Sequence, residues 1–71
     1  MTELGLFLSR KSINRSEVSR RTGISKTRLS ELTNNPNTKL RLDEFYLICL
    51  AIDVDPGEVM KEICKDLKLE N

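Results

Sequence analysis

The sequence predicts an all-α domain of five short helices. Three observations carry that expectation. Five segments space their apolar residues three and four apart, and no segment alternates apolar and polar side chains as a strand would. The boundaries between segments fall on helix-capping or helix-breaking residues. At 71 residues the chain is one domain, residues 1–71, close to the smallest size that folds without staples. Hydrophobic residues make up 38% with no Trp, so Leu, Ile and Val must form most of the core.

Helix 1 is expected over about Thr2 to Lys11, with Thr2 as cap and Leu4, Phe7 and Leu8 as its apolar face. Ile13 is a hydrophobic entry residue ahead of helix 2. Asn14 caps that helix, and Glu17 three positions on makes a pair of the capping-box type. Helix 2 should end near Thr22, because Gly23 takes the left-handed conformation at little cost. Ser25 caps helix 3, about Lys26 to Asn34, with Ile24, Leu29 and Leu32 facing inward. Asn34, Asn35, Pro36 and Asn37 break the chain, and a loop runs on to Arg41 with Leu40 dipping into the core. Helix 4, about Leu42 to Ile52, is apolar on nearly every side, which places it in the middle of a bundle. Asp55, Pro56, Gly57 and Glu58 open helix 5, which carries Val59, Met60, Ile63, Cys64 and Leu67 and frays at Leu69 to Asn71.

Composition excludes several classes. No run of about 18 apolar residues occurs, and the Leu4 to Leu8 patch is too short for a signal peptide, so the cytoplasm is the default location. Cys49 and Cys64 are the only cysteines and histidine is absent, too few ligands for a zinc site. Both cysteines fall on apolar helical stripes, which favours reduced core residues over a disulfide. Gly5, Gly23 and Gly57 stand singly, with no glycine-rich phosphate loop and no nucleophile elbow; the chain is not expected to be an enzyme or to need a cofactor.

The net charge of +1 hides an asymmetry. From Ser9 to Arg41, nine basic residues stand against Glu17 and Glu31, a balance of +7. From Leu42 to Asn71, three lysines stand against eight acidic residues, a balance of −5. One end suits a polyanion; the other suits solvent or a protein partner.

The positive block coincides with the stretch Asn14 to Leu32, two short helical patterns joined by Thr22-Gly23-Ile24-Ser25. That is the layout of a helix-turn-helix, whose second helix enters the major groove. Ser19 and Thr22 are small enough for the two helices to pack closely at the turn. Lys26, Thr27, Ser30 and Glu31 form the polar outward face of helix 3, and Arg28 beside them has the reach for a base or a phosphate. Lys26 and Arg28 sit at the positive end of the helix dipole, a poor place for cations unless phosphates or guanines lie opposite. Glu31 has two readings: acceptor for a cytosine amino group, or ion pair with Lys26 or Arg28 on its own helix. Thr27 and Ser30 fit either surface, and Arg20 and Arg21 suit a structural role at the end of helix 2.

On these residues the chain resembles the phage repressor and Cro family of helix-turn-helix proteins, the XRE family. The likeness runs from Leu4 to Ile63 and rests on Asn14 with Glu17 and Val18, the Thr22-to-Ser25 turn, Leu29-Ser30-x-Leu32, the Leu42-to-Val54 helix, Pro56 and Val59. It implies a compact five-helix fold like that of lambda repressor, binding double-stranded operator DNA as a symmetric homodimer on a palindromic site. By position it implies that Lys26, Thr27 and Glu31 read base edges. Arg15, Ser25, Asn34, Lys39 and Arg41 would hold the DNA backbone. The chain departs from the family pattern at Thr33, where an acidic residue is usual, at Asn35 and Asp53, where glycine is common, and in a longer loop before helix 4.

The function expected is therefore a minimal transcriptional regulator, a repressor of phage or mobile-element type. Two alternatives keep the same fold: the antitoxin of a toxin–antitoxin pair, binding its toxin through the acidic half, and a protein-interaction module that has lost DNA binding. The +7 block argues against the second.

Overall fold

The computed structural model describes residues 1–70, and each expected helix is present. They are α1 (Glu3–Arg10), α2 (Arg15–Thr22), α3 (Lys26–Asn34), α4 (Leu42–Ala51) and α5 (Pro56–Ile63). Among the described residues there is no strand, and no helix is long and apolar enough to cross a membrane.

The caps anticipated at the first three helices form. The Gly5 amide donates to the Thr2 hydroxyl at 3.0 Å, the Glu17 amide to Asn14 Oδ1 at 3.2 Å, and the Arg28 amide to Ser25 Oγ at 3.0 Å. Each satisfies one of the amides that an α-helix leaves unpaired at its start. Asp55 precedes Pro56 at the start of α5 but makes no side-chain cap bond. Gly23 closes α2 at φ 80°, as its lack of a Cβ allows. Ser12 and Asp53 take the left-handed conformation without being glycine, at φ 54° and 59°. Each ends its helix in a Schellman pattern: Ile13 N donates to Leu8 O, and Val54 N to Cys49 O.

Leu4, Phe7, Leu8, Val18, Leu29, Leu32, Phe45, Ile48, Cys49 and Val59 form one buried cluster. Ile13, Ile24, Leu40, Ile52, Val54 and Ile63 close its edges, so the inward roles of Ile24, Leu29, Leu32 and Leu40 are met. α1 packs on α3 and α5, α2 on α3 and α4, and α4 on α5. Both cysteines are free, Cys49 in the core and Cys64 half-buried.

The seam between α1 and α3 is unusually close. A Cβ on Gly5 would lie 2.2 Å from the Thr33 carbonyl oxygen, so only glycine fits there. Thr33 has no exposed surface; its hydroxyl donates to Ser30 O at 3.2 Å. Thr2 stitches the same seam: its amide donates to Thr33 O at 2.9 Å and its hydroxyl to Leu32 O at 2.8 Å. The threonine that replaces the family's usual acidic residue thus sits in a buried, hydrogen-bonded place.

Two expectations need correction. α4 is not enclosed: Phe45, Ile48 and Cys49 are buried, while Leu42 is 74% and Tyr46 54% exposed, and Leu47 and Leu50 also face out. Only α2 and α5 pack on it, which covers one side of an all-round apolar helix. α5 also stops at Ile63 and passes into turns, leaving Leu67 exposed rather than extending the helical stripe. The fraying expected at Leu69 to Asn71 reaches, at Asn71, beyond the described residues.

Candidate nucleic-acid interface

α2 and α3 meet at the Gly23 corner. The Thr22 hydroxyl donates to Val18 O at 2.7 Å and accepts from the Ile24 amide at 3.1 Å, which fixes the turn from both sides. Buried Val18 lies beneath it, and Leu29, Leu32 and Thr33 anchor the inner face of α3. The outer face of α3 therefore has a rigid support. Lys26, Thr27, Ser30, Glu31 and Asn34 are all exposed along it.

The basic residues of the positive block divide into two groups. Six have partners. Arg10 pairs with Glu62 at 3.4 Å, Arg20 with Glu17, and Arg41 with Asp43 at 3.0 Å. Arg21 donates to Ala51 O at 2.8 Å, binding the C-terminal end of α4, and the Lys11 ammonium lies 5.7 Å from the Phe7 ring centre. Arg28 is held by Glu44. Among the described residues no ion pair or side-chain hydrogen bond engages Arg15, Lys26 or Lys39. These three stand at the first residue of α2, the first residue of α3 and in the loop before α4. All three are positions expected to meet DNA, and Arg20 and Arg21 take the structural roles expected of them.

Arg28 differs from its sequence-based expectation. Its Nε and Nη2 donate to the two carboxylate oxygens of Glu44 at 2.9 and 2.8 Å, and Nη2 also donates to Lys39 O at 3.0 Å. Its guanidinium is directed at α4 and the loop. Glu44 is buried, 8% exposed, and also accepts from the Arg41 amide at 3.0 Å. The Arg28 fork, with help from that amide, holds the Glu44 carboxyl down to about 2 against the desolvation that would raise it. The pairing of Glu31 with Lys26 or Arg28 is not formed among the described residues, so its carboxylate is free.

The remaining backbone-gripping candidates fall around this face. Ser25 is engaged as a cap. Asn34 ends α3, its amide 3.4 Å from Ser30 Oγ. Lys39 and Arg41 flank Leu40 in the loop, which is turned by the Asn37 amide donating to Asn35 Oδ1 at 2.9 Å. Sequence reading missed Glu44, which lay hidden among the acidic residues of the C-terminal half.

Away from this face, Leu4, Leu32, Leu40, Leu42, Phe45 and Met60 border an open apolar groove of about 600 Å³ between α1, the loop, α4 and α5. Among the described residues no cluster of His, Cys, Asp and Glu is arranged to hold a metal.

The chain matches the Cro/C1-type HTH DNA-binding domain over residues 3–65. It is 29% identical over 58 residues to the uncharacterized HTH-type transcriptional regulator YozG of Bacillus subtilis (strain 168), covering 82% of this chain and 69% of that relative. No solved structure matches it.

Proposed function

The chain belongs to the Cro/C1-type helix-turn-helix DNA-binding family, and from that membership we propose that it is a sequence-specific repressor of phage or mobile-element type. It works in the cytoplasm by occupying operator DNA, with α3 lying in the major groove. The observation that carries this reading is the set of unpartnered cations, Arg15, Lys26 and Lys39, beside an exposed polar helix face. Side chains with no intramolecular partner are available for phosphates and base edges.

Lys26, Thr27, Ser30 and Glu31 read the bases. Lys26 suits guanine O6 and N7, and Glu31 suits the cytosine amino group. Arg15, Asn34, Lys39 and Arg41 grip the backbone, and Ser25 sets the α3 terminus whose free amides face a phosphate. Selection of bound sites from a random duplex pool tests the reading. Lys26→Ala is expected to relax preference at particular base pairs, costing about 1–3 kcal/mol of discrimination. Arg15→Ala should weaken all sequences alike and flatten the log K against log salt slope by about one. Equal and small changes in specificity from both would remove α3 as the reader.

The repressor acts as a homodimer on a palindrome. Exposed Leu42, Tyr46 and Met60 on the outer side of α4 and α5 support this, because a second copy would remove that apolar surface from water. Selected half-sites about one helical turn, roughly 34 Å, apart would agree. Sedimentation of one copy per palindrome would exclude the dimer.

A further inference from the structure

We propose that Arg28 and Glu44 form a positioning pair, which sets the offset between the base-reading face of α3 and the phosphate-gripping residues Lys39 and Arg41. The inference rests on the DNA-binding reading above and assigns it two residues that touch no DNA.

Among the described helices, α3 and α4 do not pack on each other; each packs on α2 instead. The segment between them, residues 35–41, is turned by bonds within itself at Asn35. The Arg28–Glu44 network spans this gap. Arg28 brings α3, the Lys39 carbonyl brings the loop, and Glu44 with the Arg41 amide brings the first turn of α4. A two-pronged guanidinium–carboxylate pairing fixes orientation as well as distance. The side chains are 31% and 11% exposed, so solvent and salt screen this pair less than a surface pair. Lys39 and Arg41 are bonded into the network through their backbones, which leaves the Lys39 ammonium free to meet a phosphate at a set distance from Lys26.

The charge of Glu44 makes the idea testable by sign. A carboxylate near a polyanion-binding face opposes binding by simple electrostatics. Removing that charge should therefore strengthen binding unless Glu44 contributes through position.

The experiment measures anisotropy of a labelled duplex carrying the selected site, across a salt series, for the native chain, Arg28→Ala, Glu44→Gln and the double variant. Circular dichroism fixes a temperature at which every variant is folded. Both single variants are expected to bind on the order of tenfold more weakly, with the salt slope reduced by about 0.9 for each phosphate no longer neutralised. Base preference should be retained, and the double variant should be no weaker than the weaker single one, because both act through one pairing. Arg28→Lys, which keeps the charge and removes the fork, should also flatten the slope; it serves where Arg28→Ala fails to fold. Tighter binding by Glu44→Gln overturns the proposal and makes Arg28 a restrained DNA ligand. Unchanged binding, or single effects that multiply, overturns it too. A native chain that selects no site overturns the DNA-binding reading itself, and this inference with it.

Discussion

The α1–α3 seam, closed through small and polar residues, and the far more apolar outer face of α4 and α5 reach opposite states. At the seam two backbones approach so closely that Gly5 has no room for a Cβ, and Thr2 ties the chain start to the Leu32 and Thr33 carbonyls. On the outer face, Leu42, Tyr46 and Met60 border open space. The difference lies in what the chain can bring against each surface. Burial needs a second element with a complementary face, and among the described helices only α2 and α5 pack on α4. Rigidity therefore gathers under α3, and unpartnered apolar surface gathers away from it.

Stability measurements can break that comparison. Gly5→Ala should have the largest effect, about 1–3 kcal/mol or more in urea denaturation, because the atom it meets is a backbone carbonyl that cannot swing away. A destabilisation smaller than that of Leu42→Ala would show the seam to be no tighter than the open face. Thr2→Ala comes next, at about 1 kcal/mol for the missing cap, with the bond to the Leu32 carbonyl removed in addition.

Acid should sharpen the comparison. The seam's buried polar residue is neutral Thr33, whereas the start of α4 buries a charged Glu44. Glu44 has its pKa lowered in the folded chain to about 2 from an ordinary 4.5, so its stabilisation is complete above the ordinary value and is lost as pH falls from about 4.5 towards 2. The melting-temperature gap between native chain and Glu44→Gln should thus be constant near neutrality and shrink through that window. The same gap between native chain and Thr2→Ala should not follow it. Leu42→Ala should have the smallest effect, within about 0.5 kcal/mol for the monomer, since that side chain is already in water.

Sequence alone showed the Thr2 cap and most of the α2–α3 turn, because local rules govern them. The seam's close approach at Gly5 and its bonds from Thr2 to Leu32 and Thr33 join distant parts of the chain and were not legible there. Asn14, Ser25 and Gly23 act through bonds within four residues, and their geometry follows from residue type. Asp53 adopts the left-handed conformation for the reason its short polar side chain suggests, and Ser12 does so where nothing in the residue pattern marked it. What escaped is non-local. Arg28 and Glu44 are 16 positions apart, and the facing of an arginine on a helix flank is decided by what lies opposite. The exposed side of α4 escaped for the same reason, since apolar periodicity ranks faces for burial without counting the helices available to cover them. Lys26, Thr27, Ser30 and Glu31 lie on the exposed face expected of them, because a helix that buries Leu29, Leu32 and Thr33 has no other side left.

Cys49 gives the molecule a built-in stopwatch. Its thiol is 1% exposed, and burial first, with Asp55 nearby second, pushes its pKa up, so reagent reaches a reactive thiolate there only when the core opens. Half-buried Cys64 lies outside that protected cluster. The lag between labelling of the two thiols, followed by mass, would count core openings directly, and bound DNA that lengthens the lag would do so by holding the core shut.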